Sequence, residues 1–170
     1  VAAAVVLPAD YELPGLNDSK KLTARRREQL YELLMNDPLV HKCVATATVA
    51  EIDELNILRA THLAMARAAQ GLVPPPDFCL IDGLAVPNFP LPSANLVKGD
   101  ARCLSIAAAS VLAKVTRDRY MTELAVEYPQ YGFERHAGYG TKAHLQAIHQ
   151  YGITPHHRRS FAPVAQMELP

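Results

Sequence analysis

The chain has 170 residues, 49% of them hydrophobic and 20% charged, with 17 Lys and Arg balanced by 17 Asp and Glu. Those values suit one domain with a sizeable core and exclude a disordered or polyelectrolyte segment. No apolar run approaches the roughly 20 residues of a membrane helix, and the opening VAAAVVLPAD has neither an initiator Met nor the basic region of a signal peptide.

Val1 to Leu7 is β-branched and apolar and predicts a strand. The loop PADYELPGLNDS follows, rich in Pro, Gly, Asn and Asp. Thr23 can cap a helix through RRREQLYELLMND, with Leu30, Leu33 and Leu34 facing inward. LVHKCVATATV reads as a strand. Thr48 and Glu51 then make a capping box, and the helix it starts continues through NILRATHLAMARAAQGL to Gly71. After the stiff PPPD, FCLID fits a short buried strand ending on Asp82-Gly83. A Pro-rich loop, a short strand ANLV and the turn KGDA come next. CLSIAAASVLAKVTRDRYMTELAVEY is one long Ala-rich helix stopped near Pro129. The loop YGFERHAGYG leads to a last helix, roughly Thr141 to Tyr151, and an irregular basic tail, so that residues 129–170 form a C-terminal helical and irregular extension. Strands alternating with helices predict a single α/β domain over residues 1–170, with helices packed on a mixed sheet.

Two aspartates stand out. Asp118 shares a helical stripe with Val111, Val115, Met121 and Ala125, a stripe that a helix normally buries. A buried carboxylate is costly unless it is paired, hydrogen-bonded or bound to a metal. It is therefore either an ion-pair partner of Lys114, Arg117 or Arg119, or a ligand. Asp82 ends a strand, where open α/β sheets bind ligands, and precedes a Gly that permits close approach. It is either a turn-forming Asp or a ligand. Together they suggest a site for hard divalent cations with oxygen ligands, Mg²⁺ or Mn²⁺. Cys43, Cys79 and Cys103 are scattered and read as free thiols of a reducing compartment, without a zinc site. The expected location is the cytoplasm.

The zero net charge hides an asymmetry. Residues 96 to 160 carry nine Lys and Arg against five Asp and Glu, together with five of the seven histidines. Four clusters there and upstream suit phosphate: NDSKK with Ser19, Lys20 and Lys21; KGD with Lys98; HAGYGTK with His136, Tyr139, Thr141 and Lys142; and HHRRS with His156, His157, Arg158 and Arg159. Each alone describes a solvated surface equally well. Four in one small domain point to nucleic acid.

Taken in order, GLNDSKKL (15–22), EIDELNIL (51–58), LIDG (80–83), VKGD (97–100), SIAAASVLAKVTRDR (105–119), YGFERHAGYGTKAHL (131–145) and HHRRSFAPV (156–164) make the chain resemble the ribonuclease HII family, the type 2 ribonucleases H. The resemblance implies the ribonuclease H fold, with a mixed sheet flanked by helices. It implies a monomer, with no membrane partner, that cleaves the RNA strand of RNA–DNA hybrids and cuts 5′ to single ribonucleotides embedded in duplex DNA. Four carboxylates hold two metal ions in the family; Asp82 matches the one ending the LIDG strand, and Asp118 the one in the TRD helix. Tyr139 matches the tyrosine that packs at the ribonucleotide sugar and helps to sense its 2′-OH. The other two carboxylates belong to a first strand reading Asp-Glu-x-Gly-Arg-Gly, shortly before the segment that VAAAVV matches; these 170 residues do not contain it. That strand is central in the family's sheet, and its Gly-Arg-Gly backbone contacts the 2′-OH. The expectation is therefore a sheet without its central strand. The chain alone would be an incomplete enzyme, or at most a weak nucleic-acid binder. Asp10, Glu12, Asp18 and Asp100 match neither missing carboxylate.

Overall fold

The computed structural model describes residues 1–16 and 22–166. Strand β1 (Ala2–Val6) pairs antiparallel with β2 (His41–Ala45), Ala2 opposite Ala45 and Val6 opposite His41. Strand β3 (Cys79–Asp82) pairs in parallel with β4 (Ser93–Leu96), Cys79 opposite Ser93 and Asp82 opposite Leu96. The α/β class holds, but among the described residues the expected mixed sheet is two separate pairs. β1 is paired only on its β2 side, and β3 only on its β4 side.

Among the described residues, six α-helices accompany the strands: α1 (Ala24–Asn36), α2 (Val49–Gln70), α3 (Leu104–Glu127), α4 (Phe133–His136), α5 (Lys142–Tyr151) and α6 (Ala162–Ala165). Local chemistry sets their starts. Thr23 Oγ1 accepts the Arg26 N–H at 3.2 Å, one of the orphan donors of the first turn of α1. The Glu51 carboxylate accepts the Thr48 N–H at 2.8 Å while Thr48 Oγ1 accepts the Glu51 N–H at 3.2 Å, the reciprocal capping box that starts α2. Thr141 Oγ1 accepts the His144 N–H at 3.3 Å and opens α5.

Three expectations are corrected. Leu30 and Leu34 are fully buried, but Leu33 is 52% exposed. At about 100° per residue, Leu34 and the partly buried Tyr31 lie to one side of Leu30 and Leu33 to the other, so the buried stripe leaves Leu33 in solvent. Next, α2 is not continuous: Asn56 adopts φ 69° and ψ 165°. Its Oδ1 accepts the N–H groups of Leu58 and Arg59 at 3.0 and 3.1 Å, recapping the helix beyond the break. Finally, the expected loop and tail contain α4 and α6, each fixed by one apolar anchor, Phe133 at 3% and Val164 at 1% exposure.

The chain divides into two compact units, Val1–Thr46 with Thr61–Val115, and Ala47–Ala60 with Thr116–Pro170. In the first, Leu34, Val40, Ala108 and Leu112 form a core against β1 residues Ala3 and Val5, and Leu30, Val111 and Val115 form a second cluster. In the other, Met121 and Leu124 pack with Tyr131, Phe133, Ala147, Ile148 and Val164. Each fully buried Leu contributes about 1.5–3 kcal/mol over an exposed one.

Candidate functional site

In the first unit, β3 ends on Asp82, whose side chain is exposed. Asp82 Oδ1 accepts the Gly99 N–H at 2.8 Å, and the turn carrying Gly99 closes with the Cys103 N–H donating to the Gly99 carbonyl at 2.8 Å. The close approach needs a glycine: a Cβ on Gly99 would lie 2.6 Å from Ile106 Cδ1 and 3.2 Å from Asp82 Oδ1. Lys98 precedes it in the left-handed region at φ 57°, exposed. Gly83 after the strand has φ +94°, with open space where a Cβ would be. One carboxylate oxygen of Asp82 is thus held by a backbone donor 17 residues further along the chain.

Beside Asp82 lies a cleft of about 380 Å³. Its lining residues include all of β1, Leu80, Ile81 and Asp82 of β3, and Ile106 and Ala109 of α3. Among the described residues every strand, β1 and β3 included, is paired on one side only.

In the second unit, Asp118 is half-buried on α3 two turns before Ala125. Its place on the stripe is as the spacing predicts, with Val111 at 0%, and Val115 and Met121 each at 3% exposure. Arg117 lies on the same helix, its guanidinium 3.4 Å from the Ala137 carbonyl and 5.9 Å from the Tyr120 ring centre. Burial holds its pKa below the usual arginine range, with the neighbouring Arg158 acting in the same direction.

The turn after α4 carries Tyr139, 75% exposed. Ala137 and Gly138 are both left-handed, at φ 48° and 80°, which swings the chain back so that the Tyr139 N–H donates to the His136 carbonyl at 2.8 Å. His136 differs from its expected role as a phosphate ligand. Its Nε2 bonds the Tyr131 carbonyl at 2.8 Å and its Nδ1 accepts the Gly138 N–H at 3.3 Å, so both ring nitrogens are used inside the fold. His157 also turns inward, at 7% exposure. His156 pairs with Tyr120 at 3.0 Å. Thr141 and Lys142 are exposed at the α5 start; Arg159 is exposed, and Arg158 is half-buried with its guanidinium 5.1 Å from the Phe161 ring centre. Ser19, Lys20 and Lys21 lie outside the described residues.

Asp53 is a residue that sequence reasoning missed. From the first segment of α2 its carboxylate accepts the Arg159 N–H at 3.0 Å, the Ser160 N–H at 2.9 Å and the Ser160 hydroxyl at 2.6 Å, fixing the backbone that carries Arg158 and Arg159. Burial raises its pKa, but the bonds from Ser160 and Arg159 and the charge of Arg158 outweigh this and hold it below the usual value. The residues are 106 apart in the chain. The only local signal was the acidic EIDEL run.

The donor chemistry of Asp82 and Asp118 is that of hard cations. Among the described residues, however, no three His, Cys, Asp or Glu side chains gather as a metal-ligand group, and no helix is long and apolar enough to cross a membrane. Cys43, Cys79 and Cys103 are all free thiols.

The α/β arrangement resembles that of solved type 2 ribonucleases H. The ribonuclease H2 of Pyrococcus horikoshii OT3 superposes with a TM-score of 0.71 at 25% identity, over 91% of this chain and 80% of that one. The ribonuclease HII of Archaeoglobus fulgidus, solved in complex with PCNA, shares the fold at a TM-score of 0.70 and 21% identity, over 86% of this chain and 78% of that one. The chain is thus an α/β protein of the ribonuclease H type. The ribonuclease HII family model matches residues 1–164. Among curated ribonucleases HII, that of Geobacillus kaustophilus is 57% identical over 98% of this chain and 64% of its own length, and that of Ruegeria pomeroyi 56% identical over 96% and 70%. The chain belongs to the ribonuclease HII family. It spans about 64% of the length of several of the curated relatives that it matches.

Proposed function

We infer that this chain forms most of an endoribonuclease that cleaves the RNA strand of RNA–DNA hybrids and cuts on the 5′ side of single ribonucleotides in duplex DNA, leaving 5′-phosphate and 3′-hydroxyl ends. The observation that carries this reading is Asp82: an exposed carboxylate at the carboxyl end of a strand, one oxygen aimed by the Gly99 N–H at 2.8 Å, at the rim of an apolar cleft. Asp82 and Asp118 are the residues assigned to hold Mg²⁺ or Mn²⁺. Such ions, when bound, supply an activated water and stabilise the charge on the leaving 3′-oxygen. Tyr139, exposed on its turn, packs against the ribose. Lys98, Thr141, Arg158 and Arg159, with Ser19, Lys20 and Lys21, contact the phosphates, and Asp53 holds the backbone of Arg159 and Ser160 in place.

The carboxylates that Asp82 and Asp118 still need come, in this reading, from the Asp-Glu-x-Gly-Arg-Gly strand of the family, seated between β1 and β3. That β1 and β3 each have a single strand partner among the described residues, and that both line the cleft, supports that placement.

Incubation with three matched duplexes tests the assignment: all-DNA, DNA with one ribonucleotide, and an RNA–DNA hybrid, each with Mg²⁺ or Mn²⁺. The reading requires the chain carrying the strand to cut the second and third only, with 3′-hydroxyl ends. Cleavage of the all-DNA duplex, or 2′,3′-cyclic phosphate ends, would reject it.

A further inference from the structure

Three imidazoles lie together in the second unit, and their partners fix where every proton sits. His144 is 3% and His157 7% exposed, while His136 stacks on His144 with ring centres 4.5 Å apart and planes 18° apart. A carbonyl only accepts, so the 2.9 Å contact between His144 Nδ1 and the Tyr139 carbonyl requires a proton on that nitrogen. An amide only donates, so the Thr154 N–H at 2.9 Å requires His157 Nδ1 to be bare. Neutral His157 then carries its proton on Nε2 and neutral His144 has a bare Nε2. These two atoms are 3.1 Å apart, a distance at which one donates to the other. His136 follows the same logic, with its proton on Nε2 toward the Tyr131 carbonyl and a bare Nδ1 toward the Gly138 N–H.

The chain of bonds runs in one direction, from the Thr154 N–H through His157 and His144 to the Tyr139 carbonyl. That carbonyl also accepts the Thr141 N–H at 2.8 Å. The turn so held contains two successive left-handed residues, Ala137 and Gly138, a conformation that an unsupported backbone leaves readily. A second proton on His157 would face the Thr154 N–H donor, and one on His144 would face the His157 N–H, so the chain exists only while both rings are neutral.

We propose that His144 and His157 are positioning residues for Tyr139: a tautomer-fixed pair that holds the Tyr139 carbonyl, and through it the exposed ring, in the place from which a ribose is told from a deoxyribose. This rests on the reading of Tyr139 as the ribose contact. The titratable groups facing the pair are His136 from α4, His156 from the 152–161 segment and Tyr131 from the turn before α4, with the Phe133 ring packed alongside. None of the three supplies a negative charge at neutral pH. Burial and the adjacent His144 and His156 push the His157 pKa down to about 4, and burial likewise lowers His144.

Two measurements test it. Long-range ¹H–¹⁵N spectra of the histidine-labelled chain at pH 7 should show His144 protonated at Nδ1 only, and His157 and His136 at Nε2 only. A cationic ring or the opposite tautomer at His144 or His157 overturns the relay, whatever the enzyme does. The second measurement compares His144→Asn, whose amide can donate from near the Nδ1 position, with His144→Gln, whose amide reaches only the Nε2 position. Binding of a one-ribonucleotide duplex relative to all-DNA is read in Ca²⁺ by the protein with its full strand complement. His144→Asn should keep the ratio, while His144→Gln should lose about fivefold of it, one hydrogen bond's worth, with all-DNA affinity unchanged. Equal ratios in the two variants overturn the positioning role. If the unsubstituted protein shows no ribose preference, the reading of Tyr139 fails and the positioning role falls with it, while the tautomer spectra still decide the relay.

Discussion

Acid should unfold this protein earlier than its carboxylates alone would dictate, and His157 sets the size of the effect. Its folded pKa is about 4 against an ordinary 6.5. Between those values the unfolded chain binds a proton that the folded chain refuses, so stability rises with pH across that window. The contribution is complete above pH 6.5 and falls away as the pH drops toward 4, below which the loss levels off. Going from pH 7.5 to 5.0, the linkage amounts to about 2 kcal/mol, a substantial part of a domain's net stability. Burial lowers His144 in the same direction. Asp53, whose pKa is held below its ordinary value, contributes stability that is fully present above the ordinary carboxylate pKa and is lost only as the pH falls from there through its lowered folded value. The assay is urea unfolding followed by far-ultraviolet circular dichroism at both pH values, for the unsubstituted chain and for His157→Gln, which retains a donor at the Nε2 position but does not titrate. The loss on acidification should be about 2 kcal/mol smaller in the variant. Parallel pH dependences would refute the reasoning.

Other consequences follow from single contacts. Gly138→Ala places a Cβ 3.3 Å from Met121 Cε at a φ of +80°. It should cost about 1–2 kcal/mol in urea unfolding, and more than that would mean Met121 cannot yield. Gly99→Ala, whose Cβ would lie 2.6 Å from Ile106 and 3.2 Å from Asp82 Oδ1, should lower turnover by displacing the carboxylate; full activity in the strand-complete protein would show that its aim by Gly99 is unimportant. Arg158→Gln and Arg159→Gln should each flatten the plot of log affinity against log salt by about one unit, and an unchanged slope removes that arginine from the phosphate contacts.

What the sequence made legible was what local chemistry decides. Thr23, and Thr48 with Glu51, cap helices where the hydroxyl-to-amide spacing says they should. Asp82 and Asp118 could be singled out because each breaks an apolar segment. What stayed hidden depends on distant partners. Leu33 has the same spacing credentials as Leu34, and only the direction from which the core approaches α1 tells them apart. Asn56 looked like an ordinary helix residue, since its positive φ is decided by a side chain that recaps the amides of Leu58 and Arg59. His136 and His157 resembled surface phosphate ligands because histidine spacing does not reveal which carbonyl or amide each nitrogen will meet.

The most direct test of the account compares two forms of the protein on a DNA duplex with one embedded ribonucleotide, in Mg²⁺ or Mn²⁺. One form is the 170-residue chain, and the other is the same chain preceded by the Asp-Glu-x-Gly-Arg-Gly strand. The account predicts cleavage by the second form, none by the first, and none by the second once Asp82→Asn or Asp118→Asn is introduced. Equal cleavage by the shorter form, or cleavage that survives either substitution, would contradict it.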